Sequence, residues 1–108
     1  MKISPLARSV SALIEDGWTV DVVERRIPGA NRTRDLFGLF DLVAVKGDRT
    51  LGVQVTDATN VSHRVRKIEQ SPNLRAVIDA GWSVVVHGWY ADGRCRVLQR
   101  GLDEWIGT

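Results

Sequence analysis

The chain has 108 residues, 44% hydrophobic and 26% charged, with a net charge of +2, values that fit one folded domain over residues 1–108 and exclude a disordered chain. A single cysteine, Cys95, excludes an internal disulfide and a cysteine-rich zinc site and is expected to be a small core or edge residue. No apolar run approaches the roughly 18 residues of a membrane-spanning helix, and no charged, apolar and small-residue leader opens the chain, so the expected setting is cytoplasmic with no membrane partner.

Ser4-Pro5 marks a helix start, with Ser as N-cap and Pro at the first helical position, where its missing N–H is no loss. Leu6, Val10, Leu13 and Ile14 follow at helical spacing as one apolar stripe, and Gly17 ends the helix. Residues 18–26, WTVDVVERR, are β-branched and roughly alternating, which predicts a first strand. IPGANRTR is then a loop, set by Pro28, Gly29 and Asn31. A second strand is predicted over 39–46, and KGDRT turns the chain through Gly47-Asp48 into a third over 51–56. Asn60 or a nearby residue caps a second helix whose Val61, Val65 and Ile68 face the sheet. Ser71-Pro72 repeats the N-cap pairing and predicts a helical segment over 72–80 ending at Gly81. WSVVVHGWY is a fourth strand, Asp92-Gly93 a turn and CRVLQR a fifth strand. This order predicts an α/β architecture, a mixed sheet covered on both faces by helices.

Twelve arginines stand against three lysines. Arginine's planar fork binds phosphate bidentately, and the arginines gather as Arg25, Arg26, Arg32 and Arg34, then as Arg64 and Arg66 beside His63 and Lys67. They read either as solvated surface charge or as contacts to a nucleic-acid backbone. His63 is expected to be exposed and without a role.

Along the second strand Asp41, Val43 and Val45 share one face, and along the third Gly52, Gln54 and Thr56 do. If register joins these faces, Asp41 lies beside Gln54 and Thr56. A buried carboxylate is costly unless paired, and one that holds a divalent cation is neutralised. Asp41, the Gln54 amide oxygen and the Val55 main-chain carbonyl would suit a hard ion such as Mg²⁺ or Mn²⁺. The plainer alternative holds Asp41 at a sheet end by Arg34 or backbone amides.

FDLVAV, a turn and GVQVT together resemble the PD-(D/E)XK nuclease superfamily, in which one strand carries an acid and the next a short acid-X-Lys motif. Within it the chain is most similar to Holliday-junction resolvases and Mrr-type restriction nucleases, the latter tolerating Gln for the second acid. The resemblance covers roughly residues 4–90. It implies a restriction-endonuclease-like αβββαβ core, DNA as partner, Mg²⁺ or Mn²⁺ as cofactor, no organic cofactor and a homodimer. It matches Asp41 to the first acid and Gln54 to the second, both catalytic and metal-binding. Thr56 stands where the family has Lys and cannot supply its positive charge. Glu15 projects away from the apolar stripe, so the helical Glu of many resolvases is not expected.

Arg64 and Lys67 flank the apolar stripe of the second helix and lean over the sheet edge, or else they only snorkel around it. Lys67 is the candidate for a migrated catalytic lysine. Asp35 stands as a further metal ligand or as a salt-bridge partner of the arginines, with Gly38 letting the chain bend back, and Glu24 is a weaker third acid. The LFGLF run is expected to be core rather than a base-stacking platform. Trp18, Trp82, Trp89 and Trp105 are numerous for this length; Trp18 and Trp82 each follow a Gly at a strand entry and read as structural, while His87 and Trp89 alternate with buried valines and read as core packing or as the lining of a cleft or dimer face. Two functions follow: a Mg²⁺-dependent DNA phosphodiesterase, with Arg25, Arg26, Arg32, Arg34 and Arg64 on the DNA backbone, or a catalytically inactive nuclease-like module that binds DNA or protein.

Overall fold

The computed structural model describes residues 3–99. Helix α1 spans Pro5–Glu15; Ser4 caps it in extended conformation, its Oγ accepting from the Ala7 N–H at 3.2 Å. Its C-terminal stop is the six-to-one closure in which Trp18 N–H reaches Leu13 O at 3.0 Å while Gly17 takes a left-handed φ of +90°. The same device closes the third helix: Gly81 has φ +90° and Trp82 N–H reaches Val77 O at 3.1 Å. This is the physical content of the two Gly-Trp pairs. Each glycine ends a helix, and each tryptophan is the apolar residue that packs as the chain turns into a strand.

The strands are β1 (Thr19–Val22), β2 (Arg25–Ile27), β3 (Arg32–Arg34), β4 (Leu42–Lys46), β5 (Arg49–Asp57), β6 (Ser83–Trp89) and β7 (Cys95–Gln99). A 3₁₀ turn, Ala58–Asn60, leads into α2 (Val61–Glu69), and α3 follows at Leu74–Asp79. Among the described residues β1, β4, β5, β6 and β7 form, in that order, one mixed sheet, parallel only between β5 and β6. That parallel pair requires a long crossover, which α2 and α3 supply. No described helix is long and apolar enough to cross a membrane.

Both faces of the sheet carry a core. Leu13 of α1 packs on Leu42, Ala44, Leu51, Val53, Val55 and Val85. On the other face Val61, Val65, Ile68, Leu74 and Val77 of α2 and α3 pack with Leu39, Phe40, Val84 and Val86. Strand β5 is buried continuously from Leu51 to Thr56, as expected of a strand covered on both sides. At Gly52 a Cβ would lie 2.6 Å from the Phe40 ring, which is fully buried and stacked on Trp82. Gly52→Ala is therefore expected to cost roughly 1–3 kcal/mol by overpacking, read as a lower midpoint in urea unfolding.

Several expectations change. The strand expected over 18–26 divides: β1 stops at Val22, and Arg25–Ile27 pairs instead with Arg32–Arg34 as a separate hairpin. Half of the expected loop is thus strand, with its turn confined to residues 28–31, because Pro28-Gly29 and Asn31 (φ +48°) supply a turn between two β-capable runs. β4 begins at Leu42 rather than at residue 39, and α3 begins at Leu74, with Ser71 Oγ accepting from the Asn73 N–H at 3.2 Å just before it. In α1, Ile14 is exposed and Ser9 is buried in its place. Trp89 Nε1 donates to Ser9 Oγ at 2.7 Å, and Ser9 Oγ lies 2.9 Å from His87 Nδ1. Burial holds His87 below its ordinary pKa, and the His87 ring, the Ser9 hydroxyl and the Trp89 indole N–H share hydrogen bonds with one another inside the fold. Trp105 and Arg100, the last residue of the expected fifth strand, lie outside the described residues; Cys95 is half-buried on the edge strand β7.

Candidate active site

The site is built where β4 stops pairing with β5. The ladder reaches its last rung at Leu42 and Val53. One residue before it, the Asp41 N–H donates to Val53 O at 2.9 Å, while Asp41 O accepts from the N–H groups of Val23 (2.9 Å) and Glu24 (3.3 Å) as the chain leaves β1. The Val55 N–H therefore has no ladder partner on this side, and the Asp41 carboxylate takes its place. Asp41 Oδ2 accepts from Val55 N–H at 2.7 Å and from Gln54 Nε2 at 2.9 Å. Asp41 is 5% exposed and Gln54 0%.

Asp41 and Gln54 are thus in direct contact across adjacent strands, as the alternation of faces predicts. The contacting atom differs from the expectation, since the amide nitrogen meets the carboxylate and Oε1 does not. Gln54 Oε1 is buried and meets no donor among the described residues. A half-turn about the last side-chain bond would bring that oxygen to Asp41, where only a proton or a cation between the two oxygens makes the approach favourable.

Two more carboxylates converge here. Glu24, Asp35 and Asp41 each offer an oxygen, and these atoms lie within 4.8 Å of one another. Among the described residues Asp35 pairs not with an arginine, the salt bridge considered from the sequence, but with Lys67, at 3.3 Å. Asp41 is pushed up to about 7, first by burial and further by Asp35 and Glu24, against the pull of the Val55 N–H. Three acids around one point repel one another, and a hard divalent cation relieves both that repulsion and the burial of Asp41. The all-oxygen donor set fits Mg²⁺ or Mn²⁺.

The carboxylates open into a cavity of about 390 Å³ whose wall also holds Thr33, Arg34, Arg64 and Lys67. Arg64 and Lys67 of α2 do lean over the sheet edge, and Arg34 comes from the hairpin. Arg25 lines the adjoining cleft, while Arg26 and Arg32 are exposed on the hairpin and line neither. Thr56 is buried and brings no charge to the cavity. Glu15 and His63 are exposed. In the LFGLF run Leu39 and Phe40 are core, as expected, but Phe37 is 47% exposed. The sequence undervalued Glu24: as a strand residue it would have pointed away along β1, and it enters the cluster because β1 ends two residues earlier.

Comparison with protein-family models, with curated proteins and with solved structures returned no match to this chain.

Proposed function

We propose that the protein is a metal-dependent DNA phosphodiesterase with a restriction-endonuclease-like core. The observation that carries this reading is the meeting of three carboxylates, one of them buried, with Arg34, Arg64 and Lys67 in a single cavity. Leaving out the inserted β2–β3 hairpin, α3 and β7, the run α1, β1, β4, β5, α2, β6 follows αβββαβ, with two antiparallel pairings and then a parallel one, which also supports it.

In this reading Asp41, Asp35 and Glu24 hold the cation, with Gln54 able to turn its oxygen toward it. A bound Mg²⁺ or Mn²⁺ supplies Lewis-acid polarisation of the phosphate and a water of lowered pKa. The chain's own residues do the rest. Val55 N–H fixes the Asp41 carboxylate, Arg34 and Arg64 orient the phosphodiester backbone, and Lys67, anchored on Asp35, offsets charge developing on the phosphate oxygens. Burial of Asp41 and Gln54 keeps their geometry independent of solvent.

Purified protein with Mg²⁺ or Mn²⁺ is expected to cut branched or linear DNA and to stop on chelation. A second reading, a DNA-binding module without catalysis, is favoured by Thr56 at the position of the family's lysine. It is the correct one if every DNA stays intact with either metal while binding remains and weakens steeply with salt.

A further inference from the structure

A second cleft, of about 740 Å³, adjoins the carboxylate cavity and shares Glu24, Arg34, Asp35 and Gly38 with it. On one wall stand Arg25 and Arg34, directly opposite each other in the hairpin. Like charges at that spacing are destabilising, and the ion pairs formed among the described residues are Lys67–Asp35, Arg75–Asp79 and Arg94–Asp92. The two guanidinium groups thus face the cleft with no carboxylate bonded to them there. Phe37 lines the same cleft.

Phe37 is held in an unfavourable backbone state. Its φ of +57° lies in the left-handed region that a bulky side chain rarely adopts. Its carbonyl accepts from Asn73 Nδ2 at 2.9 Å, and its ring meets Trp82 edge-on at 6.0 Å between centroids. The chain therefore fixes a large apolar ring, half of it in solvent, at the mouth of a cleft, although Leu39 and Phe40 close by are fully buried.

A flat apolar face beside two cations and beside carboxylates selects one kind of occupant. Asp21, Glu24 and Asp35 repel a phosphate from the cleft's interior, so the phosphate stays at Arg25 and Arg34. A base, by contrast, stacks on an aromatic ring and donates its exocyclic amino hydrogens to carboxylates. Bases inside a duplex cannot reach such a ring, whereas an unpaired base can.

We propose that Phe37 is the stacking platform for an unpaired DNA base whose neighbouring phosphate is held by Arg25 and Arg34 beside the carboxylate cavity, so that the substrate is DNA at a point where single strand meets duplex. The proposal rests on reading that cavity as the phosphodiesterase site. Its test needs no metal. Fluorescence anisotropy in EDTA compares a blunt-ended duplex of two complementary strands with the same duplex carrying a short single-stranded extension. The wild type is expected to bind the extended DNA more tightly. Phe37→Gly, which suits the left-handed φ, and Phe37→Leu, which keeps an apolar contact on Trp82, are expected to weaken that complex by about five- to a hundredfold. Phe37→Tyr retains the affinity, and all variants bind the blunt duplex equally. A wild type without preference for the extension, or a folded Phe37→Gly or Phe37→Leu that keeps it, overturns the proposal. Because the assay contains no metal, DNA left uncut by the Mn²⁺-loaded protein removes the phosphodiesterase reading while a Phe37-dependent preference for the extension still stands.

Discussion

Asp41→Asn is expected to abolish metal-dependent cleavage and yet to stabilise the protein at pH 8 by on the order of 2–4 kcal/mol. The carboxyl is raised from 3.8 to about 7, chiefly by burial. Between these values the folded protein holds a proton that the unfolded chain has already released. Stability contributed by this group is thus fully present below about pH 4, falls as pH rises, and is lost by about pH 7. An asparagine has no charge to bury. Its oxygen still accepts from Val55 and Gln54, while its NH₂ faces Glu24 and Asp35 as a donor instead of a third negative charge. Thermal melts from pH 4 to pH 8 should therefore fall with rising pH in the wild type and flatten in Asp41→Asn. Mg²⁺ or Mn²⁺ should raise the wild-type melting temperature more at pH 8 than at pH 5, because cation and proton compete for the same oxygen. A wild-type melting profile that rises steadily from pH 4 to pH 7, with no gain in Asp41→Asn, would show that the burial of Asp41 does not govern the site.

Lys67→Met should lower kcat by about 10²–10³-fold, with a much smaller change in KM. Lys67 is the cation that touches the carboxylate cluster, through Asp35 at 3.3 Å, and it lines the same cavity as Asp41. Its side chain is 44% exposed, and a pair so open to solvent contributes only about 0–1 kcal/mol to stability. The substitution should thus leave the melting temperature nearly unchanged while the rate falls. That separation matters, because a lysine that merely covered the flank of α2 would produce neither effect on rate. Single-turnover cleavage with the protein in saturating excess over DNA gives the number. Equal rates for Lys67→Met and wild type would mean that the charge missing at Thr56 is supplied from elsewhere or not at all.

The parts of this molecule that the sequence makes legible are those written in local periodicity and turn chemistry. Ser4-Pro5, Gly17, Gly47-Asp48 and Gly81 mark element ends that the structure keeps, and alternation along FDLVAV and GVQVT puts Asp41 beside Gln54 once register joins the two faces, as the β4–β5 ladder does. What escaped was set by non-local choices. Nothing in WTVDVVERR says that β1 must release the chain at Val22, because that depends on Asp41 O capturing the N–H groups of Val23 and Glu24. The same release frees Arg25–Ile27 to pair with Arg32–Arg34 and swings Glu24 into the carboxylates. Ile14 and Ser9 exchange their expected burial for a similar reason. Polar partners on β6, His87 and Trp89, recruit the serine and turn the helix by part of a step. Which end of the Gln54 amide meets Asp41 is likewise a matter of neighbours, invisible to spacing.

The hairpin between β4 and β5 spends only Gly47 and Asp48 on its turn, and five consecutive rungs then run from Lys46–Arg49 to Leu42–Val53 before the acid and the amide meet. Loop length at one end of this ribbon is thereby the gauge of chemistry at the other. A single inserted residue that slid the pairing by one would send Gln54 to the α1 side and bring Val53 or Val55 against Asp41. Lengthening the tip, although it touches no reacting group, would dismantle the site as completely as deleting one of its ligands.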